Sequence, residues 1–180
     1  MPREFTTAPS RWRAPHEPAH HVGQLLWLLY AIVQCFAAAW IGNLLSGSEP
    51  GPWYASIDKP SWTPPGGVIG AVWTVLYTLM GVSLWLLLRA AREPARHTRP
   101  ALVAFGVQWF FNAIWSGLFF GLRSPGLALI WIVLLLASIL VTIAAARPVS
   151  RAAAWLLVPY AAWVAFATVL NATLWWLNRG

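Results

Sequence analysis

General acid–base, nucleophilic and metal chemistry in proteins rests mostly on carboxylates, imidazoles and thiols. Here the five carboxylates are Glu4, Glu17, Glu49, Asp58 and Glu93, the four histidines are His16, His20, His21 and His97, and none lies within a long apolar stretch. His16, His20 and His21 contain an i, i+4 pair, but a proline-broken segment holds them and no further ligand is near, so no metal site is expected. Cys35, the single cysteine, sits in an apolar run and reads as a small buried hydrophobe. No residue is assigned a catalytic role on these grounds. The remaining chemistry belongs to 14 tryptophans and to a few Gln, Asn, Ser and Tyr residues embedded in apolar sequence. Indoles offer flat apolar faces for stacking and one N–H that seeks a partner when buried.

The elements that position these groups follow from composition. Hydrophobic residues make up 59% of the 180 and charged residues only 9%, against about 25% charged in soluble domains. Five stretches carry no Asp, Glu, Lys, Arg or His: 22–45, 66–88, 101–122, 124–146 and 152–178. Each meets the roughly 20 residues needed to cross a bilayer, and backbone in hydrocarbon must satisfy its own hydrogen bonds as helix. The sequence therefore predicts an all-α membrane protein, a five-transmembrane-helix bundle over residues 22–180, preceded by a disordered tail over 1–21. The first apolar stretch is too long for a typical signal-peptide core and reads as a span.

Charge sets the orientation. The N-terminal segment and the second and fourth connections hold Arg3, Arg11, Arg13, Arg89, Arg92, Arg96, Arg99, Arg147 and Arg151, while the other side holds Lys59, Arg123 and Arg179. This asymmetry places the N-terminus in the cytoplasm, as expected for a multi-pass protein of a bacterial inner membrane. The net charge of +7 is thus a topology signal, and no nucleic-acid partner is expected. Spans free of ionisable groups also argue against a proton- or ion-coupled transporter.

Helix geometry tests whether the embedded polar and aromatic residues meet. Trp73 follows Pro65 by eight residues, about 12 Å of helix; Asn112 precedes Leu122 by ten, about 15 Å; Ala167 precedes Trp176 by nine, about 13 Å. Three helices thus bring these positions to similar depth below one face. Stripes agree: Trp73, Tyr77 and Met80; Gln108, Asn112, Trp115, Ser116 and Phe119; Tyr160, Trp163, Ala167 and Asn171. Such groups either pair with each other as helix glue or line a mostly apolar pocket with a few placed polar atoms. Ala113, Gly117 and Gly121 form a second, small-residue stripe, suited to close packing inside the bundle or to a homodimer contact.

The longest connection, 46–65, contains Trp53-Tyr54 and Lys59-Pro60-Ser61-Trp62-Thr63-Pro64-Pro65. Thr63 before Pro64 suits a helix start capped by the hydroxyl. The aromatic residues make the segment either an interfacial anchor or a lid over an opening between helices.

These motifs, with Trp73 and Tyr77, Asn112 with Trp115-Ser116, and Trp155 through Pro159-Tyr160-Ala161-Ala162-Trp163 to Phe166-Ala167-Thr168, resemble the TspO family of tryptophan-rich sensory proteins related to the peripheral benzodiazepine receptor, or translocator protein. The likeness runs from about Leu25 to Arg179. It implies a homodimer that binds porphyrins of the protoporphyrin IX type and related flat hydrophobic ligands, with no obligatory cofactor and a regulatory role in tetrapyrrole or oxidative-stress responses. It further implies loop contacts from Tyr54 and Pro64, polar contacts from Trp73 and Asn112, and pocket walls from Trp115, Trp163 and Ala167; Tyr77 and Ser116 join them by face. Light-dependent porphyrin oxidation mediated by Trp73, and tetrapyrrole or sterol transport, are the alternative activities it implies. Ala172 stands where the mammalian sterol motif has tyrosine, which argues against a sterol ligand.

Overall fold

A computed structural model describes residues 18–47, 51–93 and 97–179, with side chains from Val22 onward. Among the described residues every regular element is a helix and there are no strands. Helix α1 spans Pro18–Ser46, α2 Pro52–Ser56, α3 Gly66–Ala90, α4 Arg99–Ser116 with a π turn at Gly117–Gly121, α5 Pro125–Ala146, α6 Arg151–Leu156 and α7 Val158–Leu177. Five apolar spans result: Val22–Ser46, Gly66–Ala90, Arg99–Gly121, Pro125–Ala146 and Arg151–Leu177. Only a minority of each span is buried inside the bundle. Val33, Trp40, Ile130, Leu140 and Val169 are among the many large apolar residues left on the outside, as lipid-facing surface requires.

Prolines open most of these helices: Pro18, Pro52, Pro100, Pro125 and Pro159 each stand at or near a first turn, where a missing N–H costs nothing. Pro18 extends α1 four residues ahead of the expected span, so part of the 1–21 tail is helix; residues 1–17, including His16, and the side chains of His20 and His21 lie outside the description. At α3 the expected cap does not form. Pro65 is the N-cap and makes no side-chain bond, while the Thr63 hydroxyl donates to Pro60 O at 2.7 Å and closes a turn. The fifth span is not one helix either. Pro159 lacks an N–H and crowds the carbonyl four residues back, and the span divides at Leu157 into α6, capped by Ser150 Oγ on Ala153 N at 3.2 Å, and α7.

The spans form a ring in the order α3, α1, α4, α5, α6–α7. It closes where α6 meets α3, fastened by the Ser83 hydroxyl donating to Ala153 O at 2.9 Å. Beyond the break α7 packs on α5 and touches α3 only sparsely. Close approach within the ring needs glycine: a Cβ on Gly81 would lie 2.7 Å from Ile32 Cα, and one on Gly117 would lie 2.8 Å from Leu45 Cβ. A Cβ on Gly121 would meet the Leu45 carbonyl oxygen, and Ala113 is buried. The stripe Ala113, Gly117 and Gly121 therefore seats α1 of its own chain. Of the two readings offered for that stripe, close packing inside the bundle is the one these contacts illustrate.

Candidate functional site

Between the diverging α3 and α7 lies a cavity of about 350 Å³. Its floor is a buried hydrogen-bonded trio. The Tyr77 hydroxyl donates to Asn112 Oδ1 at 2.9 Å, and Asn112 Nδ2 donates to the Tyr160 hydroxyl at 2.9 Å. Three helices are thus tied at one depth, and Asn112, expected either to pair between helices or to contact a ligand, does the first and keeps one N–H and one lone pair for anything else. Trp73 stacks on Tyr77 with centroids 5.2 Å apart and meets Tyr160 edge-on at 6.1 Å.

Above the floor the walls are mostly aromatic and aliphatic. Trp73 and Ile69 come from α3, Trp115, Ser116, Phe119 and Phe120 from the end of α4, and Trp163, Ala167 and Leu170 from α7. The π turn, closed by Leu122 N on Gly117 O at 2.8 Å, places Phe119 in a stack on Trp115 at 5.3 Å. π turns inside helices frequently mark functional sites. The Trp115 indole donates to Asn171 Oδ1 at 3.3 Å, and Asn171 Nδ2 to Pro125 O at 2.8 Å, so both are engaged within the protein. Trp163 differs: its Nε1 is buried and has no partner among the described residues. Trp163 and Phe166 also line an outward groove between α3 and α7, so this indole stands between the cavity and the lipid-facing surface.

The connection after α1 sits at the cavity's mouth. Tyr54 on α2 lines it and meets Phe120 edge-on at 5.4 Å. Asp58 N donates to Asn178 Oδ1 and Asn178 Nδ2 to Asp58 O, both at 2.9 Å, pinning the connection to the end of α7. Lys59 Nζ donates to Ile57 O at 2.9 Å and lies 4.8 Å from the Tyr54 ring centroid. Partial burial raises the Tyr54 phenol above its ordinary value, so it faces the cavity as a neutral hydroxyl. Trp62 packs edge-on to Phe166 at 5.8 Å.

Tyr54, Trp73, Tyr77, Asn112, Trp115, Ser116, Trp163 and Ala167 all line this one cavity; Pro64 is not among its lining residues. Its place in the turn ahead of α3 leaves Tyr54 as the loop residue at the mouth. Sequence reasoning missed the contribution of α1, namely Ala39, Asn43 and Ser46, and of α5, Ile132 and Leu135. Asn43, a lone amide near a span end, was the only available signal. Among the described residues the walls carry no carboxylate, imidazole or ammonium group, and no three His, Cys, Asp or Glu residues gather.

Five spans around an aromatic chamber, roofed by a pinned loop, make this a multi-pass integral membrane protein with an interior site of small-molecule size. Comparison with known proteins gives the family. Residues 31–177 match the TspO/MBR family, and the chain belongs to it. It is 37% identical over 155 residues to the tryptophan-rich protein TspO of Chlorobaculum tepidum, an alignment covering 86% of this chain and 98% of that one. It is 39% identical over 143 residues to the human translocator protein, covering 78% and 83%. Protein CrtK of Rhodobacter capsulatus is 35% identical over 159 residues, covering 84% and 94%.

Proposed function

We propose that the cavity binds a flat, hydrophobic tetrapyrrole of the protoporphyrin type and that the protein acts as its membrane-embedded sensor, in a bacterial inner membrane with the N-terminus cytoplasmic. The observation carrying this reading is the aromatic chamber itself, walled by Trp73, Trp115 and Trp163. Trp163 Nε1 is buried without a partner among the described residues, which costs free energy, and a turn of the ring toward the chamber lets a ligand carbonyl or carboxylate relieve that cost. At about 350 Å³ the chamber lies at the small end of such sites. A macrocycle therefore inserts one edge between Trp73 and Trp163 and extends toward the mouth or the lateral groove.

Titration of the purified protein with protoporphyrin, followed by quenching of tryptophan emission, tests this. Saturable quenching is expected. Ala167→Phe, which fills the chamber, should abolish it, and Trp163→Phe should weaken it by roughly 2–10-fold, the worth of one hydrogen bond. No saturation, or full affinity in Ala167→Phe, refutes the assignment. Repeating the titration under illumination separates binding from porphyrin breakdown, since equal bleaching with and without protein leaves binding alone.

A further inference from the structure

A second recess lies at the opposite end of the bundle from the α1–α3 connection. Between the start of α1 and the end of α3 a groove of about 190 Å³ is bounded by Gln24, Trp27, Trp85, Leu88, Arg89 and Arg92. The Arg89 guanidinium lies 5.7 Å from the Trp85 ring centroid, and that of Arg92 lies 5.3 Å from the Trp27 ring centroid. A planar guanidinium resting on an indole is held in place and can offer its N–H edge to an oxyanion. Arg89 in the last turn of α3 also complements that helix terminus, but Arg92 lies beyond the helix and has no such duty.

The groove's position fixes what reaches it. Its residues belong to the outermost turns of Val22–Ser46 and Gly66–Ala90 or, like Arg92, lie just beyond them; these spans have 25 residues each, longer than the roughly 20 that hydrocarbon requires. These turns therefore lie at headgroup depth, where tryptophan also collects. Among the described residues no carboxylate lines the groove; Glu93, next in the chain to Arg92, is not part of its wall. Two guanidinium groups repel a choline or ethanolamine ammonium.

We infer that this groove is a binding site for an anionic phospholipid, its phosphate held between Arg89 and Arg92 and its glycerol region against Trp27, Trp85 and Leu88. Two guanidinium groups and a phosphate make charge-assisted, directional bonds, and basic pockets between transmembrane helices are suited to such headgroups. The site is separate from the aromatic chamber and does not depend on what the chamber binds.

Native mass spectrometry of the full chain, released from membranes containing equal phosphatidylglycerol and phosphatidylcholine, tests it. At about 1 kcal/mol per basic residue near the surface, two arginines predict a preference for phosphatidylglycerol of about 30-fold. Arg89→Gln/Arg92→Gln should bring it close to unity. Arg179→Gln, which removes a guanidinium lying over Trp176 at the other end, should leave it unchanged. Leu88→Trp keeps both charges and fills the groove, and should also lose the lipid, which guards against a double variant that fails to fold. Equal retention of the two lipids by the unaltered protein, or full preference in both the double variant and Leu88→Trp, overturns the proposal. Displacement of the lipid by inorganic phosphate alone overturns it in favour of a soluble anion.

Discussion

Replacing Asn112 by leucine should destabilise the bundle by about 2 kcal/mol, and removing the two tyrosine hydroxyls as well should recover most of the loss. Asn112 bonds Tyr77 and Tyr160, each at 2.9 Å; Tyr160 is fully buried and Tyr77 nearly so. Asn112→Leu deletes both bonds and strands two hydroxyls. In water-soluble proteins each stranded group would cost about 1–3 kcal/mol. Inter-helix hydrogen bonds inside bilayers are worth less, about 0.6 kcal/mol on average and 1.7 at most, because helices apart in lipid find other partners. The membrane values apply here, so two bonds give roughly 1–3 kcal/mol. In Tyr77→Phe/Asn112→Leu/Tyr160→Phe no polar group is stranded, and replacing all partners by apolar groups of similar shape is close to neutral. Unfolding in mixed micelles with increasing SDS, followed by far-ultraviolet circular dichroism, measures both variants. A single variant as stable as the unaltered protein, or a triple variant less stable than the single, would refute this account of the floor.

Gln108 is fully buried with neither amide atom paired among the described residues. On the same membrane scale, two unpaired amide atoms mean that Gln108→Leu should raise stability by about 1–3 kcal/mol in the same assay, and a loss would show that the amide has a partner. Gly81→Ala brings a methyl group to 2.7 Å from the Ile32 backbone and should cost about 1–3 kcal/mol through separation of α1 and α3. Gly70→Ala on the same helix, where a Cβ meets nothing within 4 Å, should be neutral or stabilising by up to about 1 kcal/mol. Similar losses at both positions would mean that helix packing is not what Gly81 serves.

The spans were legible because a membrane helix is nearly a local object: its length comes from the bilayer and its hydrogen bonds from its own backbone. The depth and faces of Trp73, Asn112, Trp163 and Ala167 followed from helical rise and period, and these residues do line one cavity. Pro159 stands inside the stretch 152–178, expected as one span, and its capacity to break a helix went unread. What a break does depends on the neighbours: here it lets α6 grip α3 while α7 leaves it. The tertiary structure also decided which partner each polar group took. Asn112 and Tyr160 lay on predicted stripes, yet their pairing depends on the relative rotation of α4 and α7.

In water, hydropathy separates inside from outside, so an apolar residue announces its own burial. In lipid it does not. Ile132 in the cavity wall and Ile130 on the outer surface are chemically alike, and the spacing of Ala113, Gly117 and Gly121 suits a second chain as well as it suits α1. The sequence by itself determined how many helices cross the membrane and which of their residues share a depth and a face. Ring order, the free donor on Trp163 and the chamber itself came only from helix packing, because the bilayer is as apolar as the core and erases the contrast that would have marked them.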